Sequence, residues 1–250
     1  MEPKVYLSHG GGVNSWALYL YLIDQGEVPG QDFEAVFVNH GTDWPETYEY
    51  MDMMIAKGYP VTVLNTDVRG TKSLLSFCER QKIIPNRGRR WCTIQFKSEI
   101  LEVYVQKPSV QLIGIDAGEP HRAKIFERDG HTFDYPLVAA NIDRGGCIDI
   151  IKHHGLPIPP KSGCYICSFQ GRVQWIELKR VHPDLFCKAV KLENLCNEHR
   201  AATGKSPVYF RDIPLETLVL PKDSAGYRAK VGQGTMFDPD YDQPPCRCGL

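Results

Sequence analysis

The alternation of apolar and polar positions divides the chain into short apolar runs and longer amphipathic stretches. Residues 4–8 form an apolar run of strand character, 10–14 a glycine-rich turn, and 15–25 a run with helical spacing. A second strand-like run at 33–39 precedes a helical pattern over 47–58, and 61–65 reads as a third strand. Residues 73–82 predict a helix, a basic loop at 85–90 separates it from a helix holding 96–104, and 111–115 predicts a fourth strand. This alternation predicts an α/β fold built on a parallel open sheet with helices over both faces. From about residue 145 the pattern changes to helices, at 173–181 and 185–200, punctuated by Pro157, Pro159 and Pro160, which predicts a carboxyl-terminal helical lobe. Beyond Thr203, frequent proline and glycine predict an extended tail. The expected division is an α/β domain over 1–144, a helical lobe over 145–202 and a tail over 203–250.

In open parallel sheets, ligands settle beyond the carboxyl ends of the strands. The unusual loops here follow strands, at 10–14, 39–45 and 116–122, so three segments are expected to converge on one crevice. The first has the clearest chemistry. A strand leading into Gly10, Gly11 and Gly12 and then a helix near Ser15 offers backbone amides and a helix amino terminus to an anion, and phosphate suits it. No Gly-Lys-Ser/Thr follows, and the spacing is not that of the dinucleotide fingerprint.

Composition narrows the classes. A chain of 250 residues, 42% hydrophobic and 24% charged, can bury one sizeable core and support a small lobe. The net charge of -1 supplies no field for indiscriminate nucleic-acid binding, although Arg87, Arg89 and Arg90 form a local patch able to meet phosphate. Charge thus neither demands nor forbids an RNA or DNA acceptor. Without a signal-like start or a run of about 18 apolar residues, the expectation is a cytoplasmic protein with no membrane partner. Nine cysteines then point to metal or redox chemistry more than to disulfides. Cys78, Cys147, Cys187 and Cys196 sit among apolar or helical residues and read as small buried hydrophobes. Gly163-Cys164-Tyr165-Ile166-Cys167 differs, because two thiols one turn apart can face one metal, and the spacing fits zinc, an iron-sulfur cluster or a redox dithiol alike.

Ser8-His9-Gly10-Gly11-Gly12-Val13-Asn14-Ser15 resembles the pyrophosphate loop (PP-loop) of the adenine-nucleotide α-hydrolase superfamily, with Asn14 where an aspartate is usual. The stretch Val36-Phe37-Val38-Asn39-His40-Gly41-Thr42-Asp43-Trp44-Pro45-Glu46-Thr47-Tyr48 resembles the phosphoadenosine phosphosulfate (PAPS) reductase family. Trp91-Cys92-Thr93 with Lys97, Gly114-Ile115-Asp116 with Glu119 and Arg122, and Tyr135-Pro136-Leu137 follow the same family's order.

That resemblance implies an adenine nucleotide, either ATP with accompanying magnesium or phosphoadenosine phosphosulfate. It would be held by Ser8, Gly10, Gly11, Gly12, Asn14, Ser15, Asn39, Asp43, Lys97, Gly114, Asp116, Glu119 and Arg122. It also implies a [4Fe-4S] cluster on Cys92, Cys164 and Cys167, with zinc as the alternative. Trp91 stands where cluster-bearing reductases have a paired cysteine, so the fourth ligand is Cys187, Cys196 or none, the last leaving one iron open to bind sulfide. Cys246-Arg247-Cys248-Gly249-Leu250 resembles the reductases' nucleophilic tail, which makes Cys248 the candidate catalytic thiol. The implied activities are ATP-dependent sulfur transfer, drawing on a sulfur donor, or reductive cleavage of a phosphosulfate with a thioredoxin-like partner. A noncatalytic nucleotide-binding module with structural zinc is the third reading.

Overall fold

The computed structural model describes residues 2–124, 127, 128 and 130–218. Its first elements are β1 (Lys4–His9), α1 (Val13–Asp24), β2 (Glu34–Asn39), α2 (Pro45–Ala56) and β3 (Thr62–Asn65). Then come α3 (Leu74–Gln81), α4 (Trp91–Thr93), a π-helical turn (Ile94–Ser98), α5 (Glu99–Tyr104) and β4 (Ser109–Ile113). β5 (Glu127–Arg128), β6 (His131–Asp134), α6 (Pro136–Ala139), α7 (Arg144–His153), α8 (Arg172–Val181) and α9 (Pro183–Ala202) follow. Among the described residues no helix is long and apolar enough to cross a membrane.

The sheet has the order β3-β2-β1-β4-β6-β5. β1 runs parallel to both β2 and β4, and β4 parallel to β6. The expected open α/β sheet is therefore present, with one addition. β5 lies antiparallel to β6 at the edge, because the two residues between them are far too few for a parallel crossover. Neither strand was legible in advance: β5 spans 2 residues, and β6 mixes His131 and Asp134 with a single phenylalanine.

Neighbouring residues on each central strand serve opposite faces, as a side-chain period of two requires. Leu7, Ala35, Phe37 and Leu112 join Trp16 and Leu20 of α1 and Met51 and Met54 of α2 in one core. Tyr6, Val36 and Val38 pack with Leu101 and Val105 in another. Burial on both sides makes β1 and β2 nearly continuous apolar runs.

The contacts draw a different division from the one expected at 144 and 202. Two compact units form. The first comprises Met1–Asn39, Pro45–Leu64 and Glu99–Ser162; the second comprises His40–Trp44, Asn65–Ser98 and Gly163–Leu250, described as far as Leu218. α7, expected in the helical lobe, belongs to the first unit because Cys147 and Ile151 complete the core around α1. The second unit needs residues from the amino-terminal half: Trp44, Leu74, Phe77 and Phe96 cover Trp175 and Phe186 of α8 and α9 in one cluster. Of the expected tail, residues 219–250 lie outside the described residues.

His9 closes β1 in the first core. Its ring meets the Trp16 indole edge-on, centroids 4.3 Å apart, and its Nδ1 accepts the Gly11 N–H at 3.1 Å. Burial depresses its pKa from the ordinary 6.5 to about 3, so the folded chain holds it neutral. The unfolded chain takes up a proton on His9 below pH 6.5 while the folded chain does not until about 3, so stability falls as pH drops through that window. The expected cost is at most about 1.4 kcal/mol per pH unit. Urea unfolding of wild type and His9→Asn, which keeps an acceptor for Gly11, should show the variant losing less stability between pH 6.5 and 4.5; equal slopes would refute the assignment to His9.

Candidate functional site

The strand order reverses at the centre of the sheet: the chain builds outward from β1 to β2 on one side, then returns to place β4 on the other. Ligands of doubly wound sheets bind at this switch point, beyond the carboxyl ends of the two central strands. The glycine loop follows β1, and Gly114 to Asp116 follow β4. Close packing explains the glycines. A Cβ on Gly11, whose φ is +75°, would stand 2.7 Å from Thr47 Cγ2, and one on Gly12 would stand 2.7 Å from Ser162 Oγ. One on Gly114 would stand 3.0 Å from the Asn14 carbonyl. The backbone of the loop is thus enclosed by the start of α2, by Ser162 and by the loop after β4.

Two of the loop amides are already engaged. The Gly10 N–H donates to Ser15 Oγ at 2.9 Å and the Gly11 N–H to His9. The anion-binding capacity therefore sits one step later than the triple glycine suggests, at the first turn of α1. Its N-cap residue, Gly12, supplies no side-chain acceptor.

Beside that turn lies a polar chain absent from the sequence reading in this form. Arg144 Nη1 donates to Asn14 Oδ1 at 2.8 Å, Asn14 Nδ2 donates to Asp116 Oδ2 at 2.7 Å, and the Gly118 N–H donates to Asp116 Oδ1 at 2.8 Å. Asn14 is suited to this position because its amide serves a cation on one side and a carboxylate on the other. An aspartate there would face Asp116 as a like charge. The carboxylate missing at position 14 is matched by the one at 116.

Other expected nucleotide contacts divide. Ser8 faces Gln111 across the sheet, with its Oγ 3.4 Å from Gln111 Oε1. Glu119 and Arg122 pair with each other on the short 3-10 turn Pro120–Arg122. Asn39 ends β2 and is half-buried. Asp43 and Lys97 belong to the second unit, with the cysteines.

In the second unit, residues 42–44 pair with 163–165 as a short antiparallel bridge. The Trp44 N–H donates to the Gly163 carbonyl at 3.0 Å and the Tyr165 N–H to the Thr42 carbonyl at 2.8 Å. The Cys-x-x-Cys segment then turns tightly, with the Cys167 N–H donating to the Cys164 carbonyl at 3.1 Å. This pairing assembles a buried relay. Asp43 Oδ2 lies 3.3 Å from His40 Nε2, His40 Nδ1 lies 2.7 Å from Thr42 Oγ1, and Thr42 Oγ1 lies 3.1 Å from Cys164 Sγ.

The relay has two self-consistent proton arrangements. With a neutral imidazole, the Cys164 S–H donates to Thr42 and the Thr42 hydroxyl to His40. With the imidazolium, His40 donates to Thr42, which donates to a Cys164 thiolate. The two differ by one proton passed from sulfur to imidazole. Burial pushes the Asp43 carboxyl up, but the charges of His40 and Lys97 outweigh it and hold the group below the usual range.

All three candidate metal thiols have raised pKa values, with desolvation the main cause in each. Lys97 pulls Cys92 and Cys167 back toward ionisation. Cys164 and Cys167 influence one another's ionisation, as do Cys167 and Cys92. Desolvated thiols give up their protons when a metal replaces them, and in donor chemistry the set fits iron-sulfur or zinc. Among the described residues, no three His, Cys, Asp or Glu side chains are gathered closely enough to hold an ion as they stand.

The proposed fourth ligands lie in different surroundings. Cys187 is exposed, and Cys196 is buried with Glu193, Arg200 and Cys78 as its charge neighbours. Cys78, set aside in the sequence as a buried hydrophobe, is the further thiol that interacts with Cys92. Cys248 lies outside the described residues. His40 and Thr42 stood inside a recognisable motif, yet their roles depend on a partner 122 positions away. Ser162 and Arg144 carried no local signal.

No family model matches the chain, and no curated protein matches it. Among solved structures, the chain is similar to a phosphoadenylyl-sulfate (PAPS) reductase from Candida auris in its phosphate complex, at 16% identity and a TM-score of 0.49, over 64% of this chain and 76% of that one. It is also similar to the U34-tRNA thiolase NcsA from Methanococcus maripaludis with its [4Fe-4S] cluster, at 19% identity and a TM-score of 0.40, over 79% of this chain and 72% of that one. The geometry itself consists of a doubly wound α/β sheet with an anion-ready switch point and a second unit carrying a relay-linked set of thiols.

Proposed function

We propose that the chain is a sulfur-transfer enzyme of the PAPS reductase family within the PP-loop superfamily, using an adenine nucleotide at the β1/β4 switch point. The observation that carries the reading is the convergence of the loops after β1 and β4 on the start of α1, which lacks a side-chain cap, with Asn14 held between Arg144 and Asp116. The first-turn amides and Arg144 take the phosphates, and Asp116 is the carboxylate that would hold the accompanying magnesium. The nucleotide activates the acceptor as an adenylate with release of pyrophosphate. Cys92, Cys164 and Cys167 are the residues that would hold a [4Fe-4S] cluster, which when bound supplies soft, redox-active sites for carrying sulfur. Thr42 orients the Cys164 sulfur, His40 and Asp43 hold Thr42 in place, and Lys97 draws Cys92 and Cys167 toward the thiolate form. A sulfur donor renews the sulfur.

Two measurements test the two halves of this reading separately. Calorimetry should detect MgATP binding, weakened at least about tenfold by Arg144→Ala, or about 1.4 kcal/mol, and partly recovered by Arg144→Lys. A wild-type chain that ignores MgATP would end the nucleotide half. Anaerobic purification followed by iron, sulfide and zinc analysis should show iron and sulfide in equal amounts, lost in each of Cys92→Ala, Cys164→Ala and Cys167→Ala. Stoichiometric zinc or no metal would end the cluster half and favour a structural module.

A further inference from the structure

A cavity of about 550 Å³ opens in the second unit between the segment around Lys82 to Trp91 and the segment around Val208 to Asp212, closed by Ser168 and Arg200. Five of its lining side chains are cationic, Lys82, Arg87, Arg89, Arg200 and Arg211, against a single carboxylate, Asp212. In a chain of net charge -1 this is a concentrated positive field, which low-dielectric walls focus. Trp91 and Tyr209 add aromatic side chains to the same lining.

The walls are built rather than loosely apposed. Glu193 of α9, itself buried, accepts the backbone N–H groups of Phe210 at 2.8 Å and Leu215 at 2.7 Å. Asn197, one turn further along α9, grips Val208 through both of its amide atoms, at 2.8 and 2.9 Å. On the facing side, Arg87 Nε donates to the Ser168 carbonyl at 2.7 Å, and the Arg89 N–H donates to Asn86 Oδ1 at 3.0 Å. Phe210 packs on Trp175 and Trp91 on Phe77, with ring centroids 5.3 and 5.7 Å apart. Side chains therefore hold the cavity open before any ligand arrives.

We infer that this cavity is a second ligand site, separate from the glycine loop, and that it takes a nucleoside phosphate, either free or carried in a single strand. Guanidinium forks match phosphate oxygens, and aromatic and guanidinium planes stack on bases. The volume lies within the range of sites that enclose a small organic ligand. Trp91 immediately precedes Cys92 and Ser168 immediately follows Cys167. On the sulfur-transfer reading, on which this last step alone rests, the seated nucleotide is the sulfur acceptor.

The test uses the full chain with two probes, a short fluorescein-labelled oligouridylate followed by anisotropy and UMP followed by calorimetry. Lys82 and Arg89 are exposed, so Lys82→Glu and Arg89→Glu should leave the melting temperature unchanged while weakening binding at least tenfold. Arg89→Lys should recover part of the loss, and added salt should weaken wild-type binding more steeply than that of the variants. Arg144→Ala, altered only at the glycine loop, should bind the probe as wild type does, so failure of the nucleotide-loop reading leaves this result legible. Binding of the strand without UMP identifies a nucleic acid as the source, and binding of UMP identifies a free nucleotide. The inference is overturned if neither probe binds, if the charge-reversed variants bind as tightly as wild type, or if an acidic aromatic peptide binds more tightly than both probes and is lost in the same variants.

Discussion

The second unit depends on a few hydrogen bonds that join residues 42–44 to 163–165. This pairing brings the segment after β2 against the Cys-x-x-Cys turn, and everything chemical in that unit follows from it. Asp43 and His40 are both buried, and removing one partner from a buried charged pair typically costs about 3–5 kcal/mol. Here the pair orients Thr42, and through Thr42 a thiol. The same bridge aligns Trp44 for the apolar cluster with Trp175 and Phe186, so relay and core are set by one local pairing.

The first unit answers to a different constraint, the reversal of strand order at β1. Because β2 and β4 flank β1, the loops after β1 and β4 must open side by side. Gly114 lets one of these loops approach the Asn14 carbonyl, and Gly11 and Gly12 let the other pass Thr47 and Ser162. The Asn14 amide then mediates between Arg144 and Asp116. Each of these five segments comes from a different part of the chain, and the site exists only where the sheet gathers them.

Substituting asparagine for the usual aspartate of the PP-loop reads in the sequence as the loss of a function. In the structure the Asn14 amide donates to Asp116, and a neutral amide is a side chain able to stand against that carboxylate without repulsion. A comparable inversion concerns Cys78 and Cys196. Both lie in apolar helical contexts, yet Cys78 is a neighbour of Cys92 while Cys196 faces Glu193 and Arg200. Sequence context read Cys187 as buried too, and the structure corrects this: it is exposed, because a helix pattern does not say which face meets a partner.

By itself the sequence determined the strands β1 to β4, the helices between them and the open α/β class, because apolar periodicity is a local property that burial on one or two faces imposes residue by residue. It also determined the glycine loop and the Cys-x-x-Cys turn, whose backbone demands are written into consecutive residues. The tertiary structure alone decided that α7 belongs to the core of the sheet, that Asp43 pairs with His40 in the unit that holds Cys164, that Arg144 reaches Asn14, and that basic residues from 82–89, 200 and 211 line one cavity. Those are partnerships across tens to more than a hundred positions, and a hydrogen bond or charge pair depends on distance in space, which no local pattern encodes.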